Sequence, residues 1–204
     1  MFNRIRKIYL TVAVILGFLI LPGNVSAQAA PTTVTFQVSS SSDDANEVDG
    51  ILNTSNTKVW LGNDVSTTGS FTGLRFTNVN IPQRAIITSA YLEVYSSQNQ
   101  WIFMQFDMAG EATGNSLTFS ALSLPSQRLL TAAKVNHSSN NNWLAGIWYQ
   151  LDDITPLIQE IVDRSDWSSS SSLSIVLKGT GPSWARKFVN SLDVSNGVEG
   201  PLLS

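Results

Sequence analysis

Between Asp43 and Asp49 the chain carries four carboxylates and one amide, in the order Asp43, Asp44, Asn46, Glu47 and Asp49. Hard oxygen donors at this density are the ligands that calcium takes. An EF-hand loop is excluded: with Gly50 at its sixth position, Ala45 falls on the first ligand position and Asn56 on the twelfth. A looser calcium site on Asp43, Asp44, Glu47 and Asp49 stays open. So does a reading in which these acids solvate a loop, or pair with arginines such as Arg75 and Arg186.

Catalytic chemistry finds little support. The single histidine, His137, lies in "VNHSSNNNW", a polar loop context with no nucleophile motif nearby, and Gly-x-Ser-x-Gly does not occur. Asp152 and Asp153 could be read as a glycosidase pair, but they directly precede a helical pattern, where acids favour the positive end of the dipole. No residue is therefore expected to be catalytic, and a polysaccharide lyase or glycosidase is the least favoured class.

Aromatic residues point elsewhere. In "YLEVYSSQNQWIFMQFDM", Leu92 and Val94 alternate with Tyr91, Glu93 and Tyr95, and Ile102, Met104, Phe106 and Met108 alternate with Trp101, Phe103, Gln105 and Asp107. Strand side chains alternate between faces, so one face is apolar and the other mixes aromatic rings with hydrogen-bonding groups. If residues 96–100 close a hairpin, Tyr95 lies opposite Trp101 and Glu93 opposite Phe103. Rings that stack on C–H surface, beside groups that bond hydroxyls, suit a sugar. The alternative is a second buried face, covered by a helix or a loop. Trp143, Trp148, Trp167 and Trp184 lie near turns or element ends; each could be an exposed platform, yet most large aromatics in a disulfide-free β domain pack in the core or at its rim.

Such a surface requires strands to carry it. Short alternating runs occupy 34–38, 58–62, 74–79, 87–95, 101–108, 147–151, 173–178 and 186–189, separated by Ser, Asn, Gly and Thr clusters. Eight or more short strands of this kind predict an antiparallel β-sandwich or jelly roll. One segment departs: in "DDITPLIQEIVDRSDW", Thr155 suits an N-cap and Pro156 the first helical position, with Ile154, Leu157, Ile158, Ile161 and Val162 at helical spacing. A single short amphipathic helix is expected over about 156–164.

The N-terminus reads as a secretory signal over residues 1–29. Arg4, Arg6 and Lys7 precede an apolar run of 14 residues, 8–21, followed by Pro22, Gly23 and small residues that permit cleavage after Ala27 or Ala29. The run falls short of the roughly 20 residues that cross a bilayer, so the expected product is secreted, periplasmic or cell-surface, with no membrane insertion after cleavage. The chain has no cysteine, which excludes disulfides and thiolate chemistry. Residues 33–204 are long enough for a single domain with its own core. Beyond the signal, nine basic residues face fifteen acidic ones, a net charge of −6. That balance argues against nucleic acid or an anionic membrane as partner.

Four strings taken together, "SSDDANEVDG", "TGLRFTNVNIPQRAIITSAYLEVYS", "LDDITPLIQEIVDRSDW" and "SLSIVLKGTGPSWARKF", resemble the DNRLRE-type carbohydrate-binding-module domains of exported bacterial and archaeal proteins. The shared features fall on Asp43, Asp44 and Glu47, on Gly73, Arg75 and Phe76, on Ile81, Pro82, Ala85, Ile87 and Ala90, and on the stretch 158–167. The resemblance implies a jelly-roll sandwich without catalysis that binds polysaccharide, uronate-containing polymers such as alginate being one ligand class. It also implies a last strand continuing beyond "GPLLS", and so other domains of a longer chain as partners. The reading is an extracellular polysaccharide-binding module, with Tyr91, Glu93, Tyr95, Trp101, Phe103, Gln105 and Asp107 as the contact set. Its alternative is a structural or adhesive surface module without a glycan ligand.

Overall fold

A computed structural model describes residues 30–194 and 197–204; the predicted signal sequence, residues 1–29 with both candidate cleavage positions, lies outside the described residues. The fold is all-β and antiparallel. The strands are β1 (Phe36–Gln37), β2 (Asp44–Val48), β3 (Ile51–Asn53), β4 (Lys58–Gly62), β5 (Ser70–Val79), β6 (Leu92–Tyr95), β7 (Met104–Gly110), β8 (Val135–Ser139), β9 (Trp148–Gln150), β10 (Ser171–Gly179), β11 (Arg186–Asn190) and β12 (Leu202–Leu203). One α-helix, α1 (Thr155–Val162), occurs among the described residues.

Three sheets result: β1-β12-β6-β9, β3-β2-β5-β10-β7-β8, and the pair β11-β4. An antiparallel bridge between Ser96 and Val189 joins the pair to the end of β6. The core lies between this assembly and the six-stranded sheet. Leu92 and Val94 of β6, Val59 and Leu61 of β4 and Val189 of β11 pack with Leu74, Phe76, Met104, Phe106, Met108, Ile175 and Leu177. These are alternate residues of their strands, as a sandwich with two inner faces requires.

Helix α1 buries Leu157, Ile158, Ile161 and Val162 in that core. Gly110 makes room for it, because a Cβ there would come within 2.6 Å of Ile161. Thr155 is the first helical residue and not the N-cap; Ile154 stands at the N-cap without a side-chain bond, and Asp153 before it accepts the Thr155 N–H at 2.8 Å. The Thr155 hydroxyl and N–H together hold the Asp153 carboxyl below its usual range. The helix ends at Val162, two residues short of expectation.

Three expectations are corrected. Residues 96–100 do not close a hairpin: β6 pairs with β12 and β9, whereas β7 pairs with β10 and β8. The Gln100 amide explains why, since it donates to the Phe188 carbonyl and accepts the Phe188 N–H while its backbone pairs with Trp143. The segment therefore crosses between sheets, and Tyr95 and Trp101 are not cross-strand neighbours. Second, the acidic stretch is not a solvated loop. Asp44, Asn46 and Glu47 belong to β2, Asp43 ends the 3-10 turn before it, and all four are buried. Asp43 does pair with Arg75, as the other reading of the stretch had it, whereas Arg186 pairs with Asp64 outside the stretch. Third, His137 is a buried residue of β8, its ring 5.1 Å from that of Phe106 and its Nδ1 2.9 Å from Asp152.

Candidate functional site

The acidic stretch comes first because its residues are the ones most apt for a metal. Alternation along β2 sends Asp43 and Glu47 to the outer side of the six-stranded sheet and Asp44 and Asn46 to the inner side. Asp43 forms a bidentate pair with Arg75, at 2.9 and 3.0 Å, and accepts the Thr118 hydroxyl at 2.9 Å. Glu47 accepts the N–H and hydroxyl of Ser126, at 2.8 and 2.5 Å. Asp49, in a tight turn at φ +48°, accepts the Ser66 hydroxyl at 2.7 Å. Asp44 accepts the Leu192 N–H at 2.6 Å, while its other oxygen is buried and unpaired. Burial pushes its carboxyl up to about 7, with Asp193 and Asp43 adding to the rise against the Leu192 bond. The four carboxylates thus take separate partners on two sides of one strand. Among the described residues no group of three or more His, Cys, Asp or Glu could hold a metal ion.

What these groups hold is a roof. The 111–133 connection lies over the outer face of the six-stranded sheet, with the Phe119 ring seated on Gly73, where a Cβ would approach it to 2.5 Å. Arg128 pairs with Glu111 at 2.9 Å, stands 4.9 Å over the Phe119 ring and donates to the carbonyls of Leu117, Thr118 and Ser123. Arg75 also donates to the Ser116 carbonyl at 2.9 Å. Consequently β10 is buried on both faces at all but one of its positions.

Among the described residues, nothing comparable covers the opposite outer face. Tyr95 of β6 pairs with Trp148 of β9, and Glu93 with Gln150. The Tyr95 and Trp148 rings meet edge to face, with centroids 5.3 Å apart. Leu202 of β12 flanks Glu93 on the other side, and the Ser204 hydroxyl donates to Glu93 at 2.7 Å. Tyr91 exchanges two backbone hydrogen bonds with Ser204, at 2.8 and 3.0 Å. Because Ser96 faces Val189, the same register sets Tyr95 beside Asn190, which pairs with Lys58. A row of ring and amide groups therefore crosses the sheet. Tyr91, Glu93 and Tyr95 are half-buried, and Trp148 and Gln150 are exposed. Helix α1 covers none of this, since its other contacts lie elsewhere: Gln159 bonds the N–H of Ile87 and the carbonyl of Ala85, and Glu160 accepts the N–H groups of Ala132 and Ala133.

The seven predicted contact residues thus divide. Tyr91, Glu93 and Tyr95 share the open face. Gln105 and Asp107 lie on the outer side of the six-stranded sheet, where Asp107 accepts the Asn136 amide at 2.9 Å. Trp101 and Phe103 belong to the crossing segment and are exposed, Trp101 at 64%. The buried Lys187 holds that segment by donating to the Ile102 carbonyl at 2.6 Å, 5.6 Å from the Trp143 ring, and burial pushes its ammonium pKa down. Sequence reasoning weighed Trp148 as an exposed platform but left it out of the contact set, and it missed Gln150. Alternation in the predicted 147–151 strand carries the signal: Tyr149 stacks on Trp143 at 4.4 Å and packs against the core, so Trp148 and Gln150 must point out. Trp143 and Trp167 are core residues.

No protein-family model matches the chain, and no curated protein matches it. What can be stated of its class rests on the fold: an antiparallel, all-β sandwich with one short helix. Among the described residues no helix is long and apolar enough to cross a membrane.

Proposed function

We propose that the protein is an exported, non-catalytic polysaccharide-binding module whose ligand lies across the open face of the four-stranded sheet. One observation carries this reading: the edge-to-face pair Tyr95–Trp148 stands on an uncovered sheet beside the Glu93–Gln150 pair. The rings offer apolar surface for pyranose C–H groups, and the carboxylate and amide offer partners for hydroxyls. Exposed apolar surface on a small soluble domain calls for such a cause. The resemblance to DNRLRE-type modules, a jelly-roll family, supports the same class and brings uronate polymers into the ligand range. The Glu93 carboxylate and the net negative charge oppose a polyanion, so neutral polymers are favoured.

Affinity electrophoresis of the protein through gels containing cellulose ether, xylan, mannan or alginate tests the reading. At least one polymer should retard it. Trp148→Ala should weaken that retardation by roughly tenfold, about 1.4 kcal/mol, at a stability cost of about 1 kcal/mol or less. Retention by no polymer, or undiminished retention of Trp148→Ala, would remove the open face as a glycan site.

A further inference from the structure

A second surface remains unexplained by the open face. Trp184 is 53% exposed and holds φ +66°, a left-handed conformation that a bulky side chain avoids. The backbone enforces it from both sides: Trp184 N–H donates to the Asp64 carbonyl and Arg186 N–H to the Trp184 carbonyl, each at 2.9 Å. Glycine would occupy this position without strain, so the loop alone does not account for an indole here. The ring is itself fixed. The Arg186 guanidinium lies 4.8 Å from it, 4.9 Å from Phe188 and 5.6 Å from Trp60, and is anchored on Asp64. Guanidinium stacking of this kind holds an aromatic plane in place.

Beside this stack runs a groove of about 350 Å³, whose lining includes Ile51, Asn53, Asn56, Trp60 and Asp64. That volume lies within the range of small-ligand clefts. Its walls are the β2–β3 hairpin, Asn56 of the loop that leads to β4, Trp60 of β4 and Asp64 just beyond that strand. Asn53 uses its oxygen to accept the Ser55 N–H, which leaves its amide N–H groups for a ligand. Ile51, 77% exposed, presents apolar surface at the mouth. Asp64 is neutralised by Arg186, whereas Asp49 meets only the Ser66 hydroxyl, so the one uncompensated charge in the lining is negative and disfavours an anionic ligand.

We infer that this groove, together with Trp184, which lies outside its lining but adjoins it through the Asp64 carbonyl and the Arg186 stack, is a second saccharide site that takes a neutral pyranose chain. Strain at Trp184 is maintained because the ring, and not the turn, is needed there. The inference shares its ligand class with the open-face reading but none of its residues. Two sites on one module would engage a polymer at two points, which raises retention beyond either contact alone.

Tryptophan indole N–H signals of the ¹⁵N-labelled protein, titrated with cello-, xylo-, manno- and laminarihexaose, separate the two sites. At least one hexaose should shift Trp60 and Trp184 together with a common half-saturation. Trp184→Gly should weaken that response by roughly fivefold or more, yet melt no lower than the parent, because glycine accepts φ +66°. Asn56→Ala should weaken it as well, and Trp148→Ala should leave it unchanged. If Trp148 alone responds, the groove is overturned and the open face stands. If Trp60 and Trp184 alone respond, the reverse holds, and no response from any of the three rejects both. A Trp60 response that survives both Trp184→Gly and Asn56→Ala also overturns the inference.

Discussion

The two outer faces of the sandwich are treated in opposite ways. On the six-stranded sheet, a 23-residue connection is bound down over β2, β5 and β10 by Asp43–Arg75, Glu47–Ser126 and Glu111–Arg128. On the four-stranded sheet, Tyr95, Trp148, Glu93 and Gln150 are left uncovered. Both faces mix aromatic and charged residues, so composition does not tell them apart. What differs is whether the polar groups are already satisfied. Under the roof each carboxylate has its donor inside the chain; on the open face, among the described residues, Gln150 has none and Glu93 has only Ser204. A surface whose polar groups are internally paired is structural, and one whose groups remain available can recognise a ligand.

The largest expected effect comes from breaking the roof. Asp43 is 1% exposed and its guanidinium partner is mostly buried, so removing one member leaves the other charge uncompensated. Arg75→Ala should cost about 3–5 kcal/mol in urea unfolding. The same substitution should leave a polymer bound at the open face with unchanged affinity under folding conditions. A loss below about 1 kcal/mol would show that the roof is not held by this pair.

A smaller effect, and one that depends on pH, concerns Asp44. Its carboxyl titrates near 7 in the folded chain against 3.8 when unfolded, so the folded state retains a proton that the unfolded state has released. Below about pH 4 both states are protonated and there is no penalty. As pH rises from 4 to 7 stability falls, on the order of 1.4 kcal/mol for each unit of separation, and above 7 it levels off. Asp44→Asn should flatten this slope and raise stability at pH 8 by about 1–2 kcal/mol, the unpaired amide offsetting the remainder. Thermal melts of both proteins between pH 4 and 8 measure it. Parallel curves would mean that Asp44 is not the titrating group, and equality at pH 4 with divergence at pH 8 is the expected pattern.

These tests also mark where the sequence was legible. Alternation in 58–62, 74–79, 173–178 and 186–189 placed strands close to β4, β5, β10 and β11, because inner-face Val, Leu, Ile and Phe residues recur at two-residue spacing. The helix was legible from Pro156 and its apolar spacing. β2 and β8 were not, because their polar residues are buried by partners distant in sequence: Arg75 for Asp43, Ser126 for Glu47, Asp152 for His137. No local pattern carries that information. Within the candidate site, alternation correctly separated Leu92 and Val94 from Tyr91, Glu93 and Tyr95. It could not say which sheet the second strand joins, and so it set Gln105 and Asp107 on the wrong face and passed over Trp148.

The smallest effect on stability sharpens that boundary. Trp101 is 64% exposed in the crossing segment, and its neighbour Ile102 is anchored through its backbone carbonyl by Lys187, not through its side chain. Trp101→Ala therefore removes little packing, and its unfolding free energy should stay within about 0.5 kcal/mol of the parent. Its position beyond the Gln100–Trp143 bridge sets it off from the row of Tyr95 and Trp148. A ligand confined to the open face should bind Trp101→Ala as it binds the parent, in contrast to Trp148→Ala. If the Trp101 variant, equally stable, loses retention to the same degree, the ligand must continue past the bridge onto the crossing segment, with Phe103 next in its path. The contact surface would then span the sheet and the loop that leaves it, and the division between a ligand-binding sheet and its connections would no longer hold.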